Sequence, residues 1–223
     1  MKQILKKAVE RGQKSLSEYE SKVVIESAGV AVTREKLARS REEAVTFAQE
    51  ISYPVALKGC SGTLAHKTEA GVVKLNLTDA KAVRDAYDEI TSRVSEIDGV
   101  LVQEMIKGSR EFVIGLTRDP QFGPCVMFGI GGIFTEAMKD VSFRIAPLTE
   151  EDAEEMIEEI KMKKLLGEFR GSPAVDRSEL VRALVGIGEL ALRHNEIAEI
   201  DINPLIIAGN KPVAADALVI LAG

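Results

Sequence analysis

Three oxygen-bearing residues near the C-terminus, Asp201, Asn203 and Asp216, have the spacing that says most about chemistry. Two apolar runs, 197–207 and 212–221, flank Gly209-Asn210, and glycine with asparagine in a two-residue loop predicts a tight hairpin. Such a turn fixes register, so Ala208 is expected to face Lys211, and Asn203 to face Asp216. Asp201 precedes Asn203 by two residues and so points to the same side of its strand. Two carboxylates and an amide oxygen gathered this way are hard ligands that suit Mg²⁺ and leave positions for water and nucleotide phosphates. The same residues also suit a plain strand-end turn on a surface hairpin, and a bulge near Pro204 would break the register. The spacing alone leaves both readings open.

Other residues with chemical potential lie further upstream. Lys58 ends a short apolar strand before Gly59, where an ammonium on a rigid element can reach a phosphate; taken alone, the pattern favours a strand-end lysine in solvent. Gly129, Gly131 and Gly132 follow another strand, a placement that lets backbone amides approach an anion as a nest, although the spacing matches neither the Walker nor the dinucleotide pattern. His66 sits beside Lys67 in a loop bounded by Gly59, Gly62 and Gly71. A neutral imidazole there is able to act as a nucleophile towards phosphorus, but the pattern alone favours an exposed loop histidine without a catalytic role. His194, at a helix end, reads as a cation capping the C-terminus.

These residues need elements to hold them. Residues 1–16 predict a basic, solvated leader helix carrying Lys2, Lys6, Lys7, Arg11 and Lys14. Ser17 with Glu20, and Ser40 with Glu43, have capping-box spacing; the first helix ends at Gly29 and the second, with its stripe of Ala44, Phe47, Ala48 and Ile51, at Tyr53-Pro54. Strands are expected at 55–58, 73–77, 100–106, 112–117 and 125–128. Helices are expected across Val83, Tyr87, Ile90 and Val94, over 150–162 and over 177–194. Tight turns join several adjacent strands, which predicts a mixed α+β architecture and not a doubly wound parallel sheet. A first lobe over 17–98 and a second over 99–223 divide the remainder, with the break at Asp98-Gly99.

The 223 residues, 45% hydrophobic, suffice for a sizeable core. A net charge of -6 and no tryptophan argue against nucleic acid as a partner, while leaving room for a nucleotide held by a few placed cations and amides. No apolar run predicts a membrane span and no signal segment opens the chain, so a cytoplasmic protein is expected. Cys60 and Cys125 lack the spacing of a zinc site or a disulfide framework.

Six stretches, in order, carry a resemblance. They are Pro54-Val-Ala-Leu-Lys58, His66-Lys-Thr-Glu-Ala-Gly71, Val102-Gln-Glu-Met-Ile106, Glu111-Phe-Val-Ile-Gly115 with 118–124, the run from Phe128 to Glu136 and on through Asp140 and Arg144, and Glu199-Ile-Asp-Ile-Asn-Pro204 before Ala215-Asp216. Together they resemble the β subunit of ADP-forming acetyl-CoA synthetases, and more distantly that of succinyl-CoA synthetase.

The resemblance implies an ATP-grasp fold, in which two α/β lobes clamp a nucleotide. It implies that Lys58 contacts the phosphates of ATP or ADP, that Glu104, Met105 and Ile106 present backbone groups to adenine, and that Glu111 accepts from the ribose. It makes Asn203 and Asp216 the Mg²⁺ ligands, in agreement with the hairpin register. His66 becomes a transient phosphoryl carrier, with Glu136, Asp140 and Arg144 near the transfer path. Asp201, where the succinyl-CoA relative has glutamate, would orient His66 or the metal. A separate CoA-binding α subunit is implied, which would take the acyl-CoA, in an α2β2 assembly. The competing expectations are an ATP-grasp carboxylate-amine ligase, which needs no histidine carrier, and a nucleotide-binding regulatory subunit without turnover.

Overall fold

The elements follow the punctuation of the sequence. α1 (Lys2–Glu10) and α2 (Glu18–Glu26) precede β1 (Glu35–Ala38), α3 (Arg41–Ile51), β2 (Val55–Cys60), β3 (Val73–Leu77), α4 (Ala80–Arg93) and β4 (Gly99–Glu104). Then come β5 (Glu111–Asp119), β6 (Gly123–Ile130), β7 (Val141–Ile145), α5 (Glu150–Glu159), α6 (Arg177–Arg193), β8 (Ile197–Ala208), β9 (Lys211–Ala214) and β10 (Leu218–Leu221). This computed structural model describes residues 1–61, 71–94, 97–131 and 140–222. The expected α+β architecture is present as two units, one of residues 16–19 and 33–106, the other of 1–15, 20–32 and 107–223.

The smaller unit is an antiparallel sheet in the order β1-β4-β2-β3. Val55 and Leu57 of β2 and Val100 and Val102 of β4 alternate onto one face, where α3 supplies Ala44, Ala48 and Ile51, and α4 supplies Val83, Ala86 and Ile90. Ser40 caps α3 by accepting from Glu43 N at 3.1 Å, while the Glu43 carboxylate accepts from Arg39 N at 2.7 Å. The expected lobe break at Asp98-Gly99 falls inside this unit. The reason is pairing: β4 is bonded on both edges, to β1 and to β2, so the division comes after Ile106.

The larger unit is a sheet in the order β10-β8-β5-β6-β7, with β9 also paired to β8. Ile114, Val126, Phe128, Ile200 and Ile202 are buried in its core, and Phe112 stacks on Phe128 with centroids 5.6 Å apart. The leader is not a solvated helix. Its Leu5 and Ala8 are buried, Lys14 O accepts from Leu221 N at 2.8 Å, and Ser15 bridges Ile220, because a short amphipathic helix gains stability by burying its apolar stripe.

The C-terminus of α6 corrects a third expectation. His194 is the C-cap residue, but its ring turns to Glu196, with Nδ1 2.9 Å from Oε1. The carbonyls of Ala191, His194 and Ile197 are taken instead by the guanidinium of Arg118 on β5, at 2.5, 2.8 and 2.6 Å. Arg118→Met removes all three donors, and since a hydrogen bond to a charged group contributes about 1.5–3 kcal/mol, a stability loss of at least about 2 kcal/mol is expected in urea unfolding. His194→Gln should change it by less.

Candidate active site

The hairpin keeps its predicted register. Ala208 pairs with Lys211 and Leu205 with Ala214; beyond a gap, Leu218 pairs with Asp201 and Glu199 with Ile220, with no shift across it. Asn203 and Asp216 therefore stand opposite each other in the unpaired step, next to the bond from Ala215 N to Pro204 O at 3.0 Å. The gap also explains why the strand expected over 212–221 is two strands. On the other edge of β8, Asn203 and Pro204 together oppose Val113 alone, the two-against-one count of a bulge, a device that re-aims side chains beside functional sites.

Asp201 alternates with the buried Ile200 and Ile202, so its side chain reaches solvent on the opposite face of the sheet. Partial burial pushes its carboxyl above the ordinary aspartate range, and the nearby carboxylate of Asp216 pushes it further the same way. Surrounding protein displaces water from around this carboxylate without covering it, which reconciles the shift with its exposure. Two mutually repelling carboxylates and an amide oxygen at a sheet bulge are a donor set that fits Mg²⁺.

Glu111 opens β5 across from Ile206 and is half-buried. Its carbonyl accepts from Gly131 N at 2.9 Å, so that amide does not form the expected anion nest. A Cβ on Gly131 would lie 2.5 Å from Phe112 O, and one on Gly129 2.6 Å from Asp140 O. Close approach of neighbouring backbone, not anion contact, is what requires glycine at both. Gly132, His66 and Glu136 lie outside the described residues.

Asp140 and Arg144 serve α5. The Asp140 carboxylate, 4% exposed, accepts from Lys161 N at 2.7 Å and Met162 N at 2.9 Å. Arg144 donates to Glu159 at 2.6 Å and Glu155 at 3.0 Å, carboxylates that hold its pKa above the ordinary value. Ser142, between them on the same face of β7, donates to Met156 O at 2.9 Å. The three side chains fasten β7 to the helix and to the turn beyond it.

In the smaller unit, Lys58 is not a solvated strand end. β2 continues past it to Cys60, and its ammonium, in a residue 8% exposed, donates to Glu18 Oε1 at 2.7 Å. Glu18 is 2% exposed and begins α2. A glutamate in a first helical turn reads as a dipole partner, so nothing in the spacing pointed to this ion pair across forty positions of sequence.

At the end of β4, Glu104 is engaged with Arg34. Its carboxylate accepts from Arg34 N and Nε, each at 2.8 Å, and its own N–H donates to Arg34 O at 3.0 Å. Of the three residues expected to meet adenine, Glu104 thus keeps no amide to offer. Met105 and Ile106 leave the sheet half-buried, and their backbone groups bond to no other described residue. A groove of about 660 Å³ beside α5 and α6 contains none of these residues.

Comparison with known proteins identifies the family. A family model described as an ATP-grasp domain matches residues 7–221. The β subunit of ADP-forming acetate–CoA ligase I from Pyrococcus furiosus is 43% identical over 99% of this chain and 97% of its own. ADP-forming acetate–CoA ligase I of Archaeoglobus fulgidus is 40% identical over 91% of this chain but only 30% of its own. Among solved structures, acetyl-coenzyme A synthetase 1 of Candidatus Korarchaeum cryptofilum, determined with coenzyme A and Ca-AMPCP, superposes with a TM-score of 0.94 at 48% identity, covering 99% of both chains. The chain belongs to the ATP-grasp family, among the β subunits of the ADP-forming acyl-CoA synthetases.

Proposed function

We propose that the chain is the nucleotide-binding subunit of an ADP-forming acyl-CoA synthetase, which interconverts acyl-CoA, ADP and phosphate with the free acid, CoA and ATP. The observation that carries this reading is the hairpin that sets Asn203 against Asp216 in register, with the Asp201 carboxyl pushed up beside them. Asn203 and Asp216 hold Mg²⁺ and Asp201 orients the cluster; bound there, the metal offsets charge on the nucleotide phosphates. Lys58 takes a phosphate, Met105 and Ile106 border adenine, and Glu111 accepts from the ribose. Asp140 and Arg144 act at one remove, by holding β7 against α5.

His66 carries the phosphoryl group. Its ring nitrogen attacks phosphorus and the bond from phosphorus to the donor breaks; a terminal phosphate oxygen of ADP then attacks that phosphorus, the nitrogen–phosphorus bond breaks, and ATP and free His66 result. The Korarchaeum relative supports this, having been determined with a phosphorylated phosphohistidine segment, and with Mg-AMPPCP and that segment pointing towards the nucleotide-binding site. The Archaeoglobus chain, most of which lies outside the likeness, supports a CoA-binding partner that takes the acyl-CoA, and we place the pair in an α2β2 assembly in the cytoplasm, with its ADP and phosphate. Among the described residues no helix is long and apolar enough to cross a membrane.

The test of the site is calorimetry of ADP with and without Mg²⁺. Asp216→Ala should weaken Mg-ADP about tenfold or more and leave metal-free ADP nearly unchanged, because the lost carboxylate touches only the metal. Equal losses in both titrations would remove Asp216 from the ligand set.

A further inference from the structure

Arg110, one residue before Glu111, is 3% exposed, and its guanidinium donates four hydrogen bonds to main-chain carbonyls. Nη1 donates to Leu165 O and Gly167 O, each at 3.1 Å; Nη2 donates to Pro173 O at 2.8 Å and to Gly209 O at 2.9 Å. Its own carbonyl accepts from Ile207 N at 3.0 Å. Burial pulls its pKa down. Burying a cation is costly, and a planar fork of five donors is the one side chain that satisfies carbonyls from three separate segments at once.

One of those segments is the turn of the β8–β9 hairpin. Its second residue is held too, since Asn210 O accepts from Asp176 N, the N-cap of α6, at 2.7 Å. Such anchoring matters because β9 is four residues long and contains Pro212, and the ladder beyond it is interrupted where Asp216 lies; at its far end Ala214 N donates to Ala31 O at 2.8 Å, so β9 is held at both ends. The hairpin turn and the bond from Ala214 to Ala31 are the two fixed points between which β9 carries the chain to Asp216.

We propose that Arg110 is a positioning residue for the metal centre, anchoring the closed end of the hairpin so that Asn203 and Asp216 keep their spacing. This rests on the assignment of those two residues to Mg²⁺, and the test separates the two. In the full chain, Arg110→Lys keeps the charge and part of the bonding, and Arg110→Met keeps the bulk. ADP binding is measured in Mg²⁺ and in EDTA beside Asp216→Ala, and amide hydrogen exchange is followed over 205–214.

Groups that hydrogen-bond metal ligands typically change metal affinity by about 10–100-fold; Arg110 reaches the ligands only through the hairpin, so Arg110→Met should sit at the low end, about tenfold for Mg-ADP and less than about twofold for metal-free ADP, with Arg110→Lys in between. Exchange should rise in the hairpin and not in β5 or β6. Should Arg110→Met fail to fold, the graded loss and the local exchange are read in Arg110→Lys. If Asp216→Ala is metal-selective while the Arg110 variants lose both forms equally, or neither, the positioning role is wrong. If Asp216→Ala itself shows no metal selectivity, the metal assignment falls, and with it the role given to Arg110.

Discussion

Substitution of His66 by asparagine is expected to abolish ATP formation from acyl-CoA, ADP and phosphate in the presence of the CoA-binding partner, while nucleotide affinity survives. Asparagine keeps a polar side chain of similar size but has no nucleophilic ring nitrogen. Incubating the wild-type subunit with Mg²⁺ and γ-labelled ATP should place the label on His66 as a phosphoramidate, which acid cleaves and base spares; ADP should then discharge it. The His66→Asn subunit should bind ATP as before and take up no label. Loss of kcat without loss of affinity identifies chemistry, whereas misfolding would remove both. Turnover near the wild-type rate in this variant would mean direct transfer from partner to ADP, and the sequence around His66 would then have another purpose. The same experiment discriminates among functions. A carboxylate-amine ligase phosphorylates its acid directly and a regulatory subunit has no turnover, so neither would form this adduct.

What could be read from the sequence, and what could not, follows from the range of the interactions involved. The hairpin register was legible because a two-residue turn sets the pairs that follow it, and the pairs on both sides of the gap obey it as far as Glu199 with Ile220, beyond which Leu221 shifts by one. The apolar stripes of α3 and α4 were legible for the same reason, since periodicity is local. β1 and β7 left no comparable signal. β7 is a five-residue edge strand whose outward Phe143 and Ile145 are exposed, so apolar residues on it do not mark a core. The lobe break was misplaced because Asp98-Gly99 is the strongest local punctuation, although the sheet continues through β4. The roles of Arg110 and Arg118 depend on carbonyls brought from segments more than fifty residues away, and no spacing rule reaches that far. The glycines at 129 and 131 show the opposite hazard. A pattern that suits an anion nest also suits a backbone crossing, and the crossing is what the structure contains.

The Lys58–Glu18 pair carries the second large effect. Both residues are more than nine-tenths buried and their charged atoms lie 2.7 Å apart, so removing one leaves the other in a medium that solvates it poorly. Breaking such a pair destabilises proteins by about 3–5 kcal/mol. For a domain of this size each kcal/mol moves Tm by about 2–4 °C, so Lys58→Met should melt roughly 10 °C lower. Its nucleotide affinity should also fall, by about one to two orders of magnitude with or without Mg²⁺, because a charge-assisted contact to phosphate contributes about 1.5–3 kcal/mol. Either loss alone is ambiguous, since an unstable lobe binds poorly. The double variant Lys58→Met, Glu18→Gln resolves this. With both charges gone the burial penalty goes too, so melting should recover by several degrees over the single variant, while affinity for ADP and ATP stays low. If affinity recovers together with stability, the buried pair is structural and Lys58 does not touch the phosphates. If stability recovers alone, the lysine has two partners in turn, a carboxylate that holds it on β2 in the free protein and a phosphate that replaces that carboxylate when nucleotide binds.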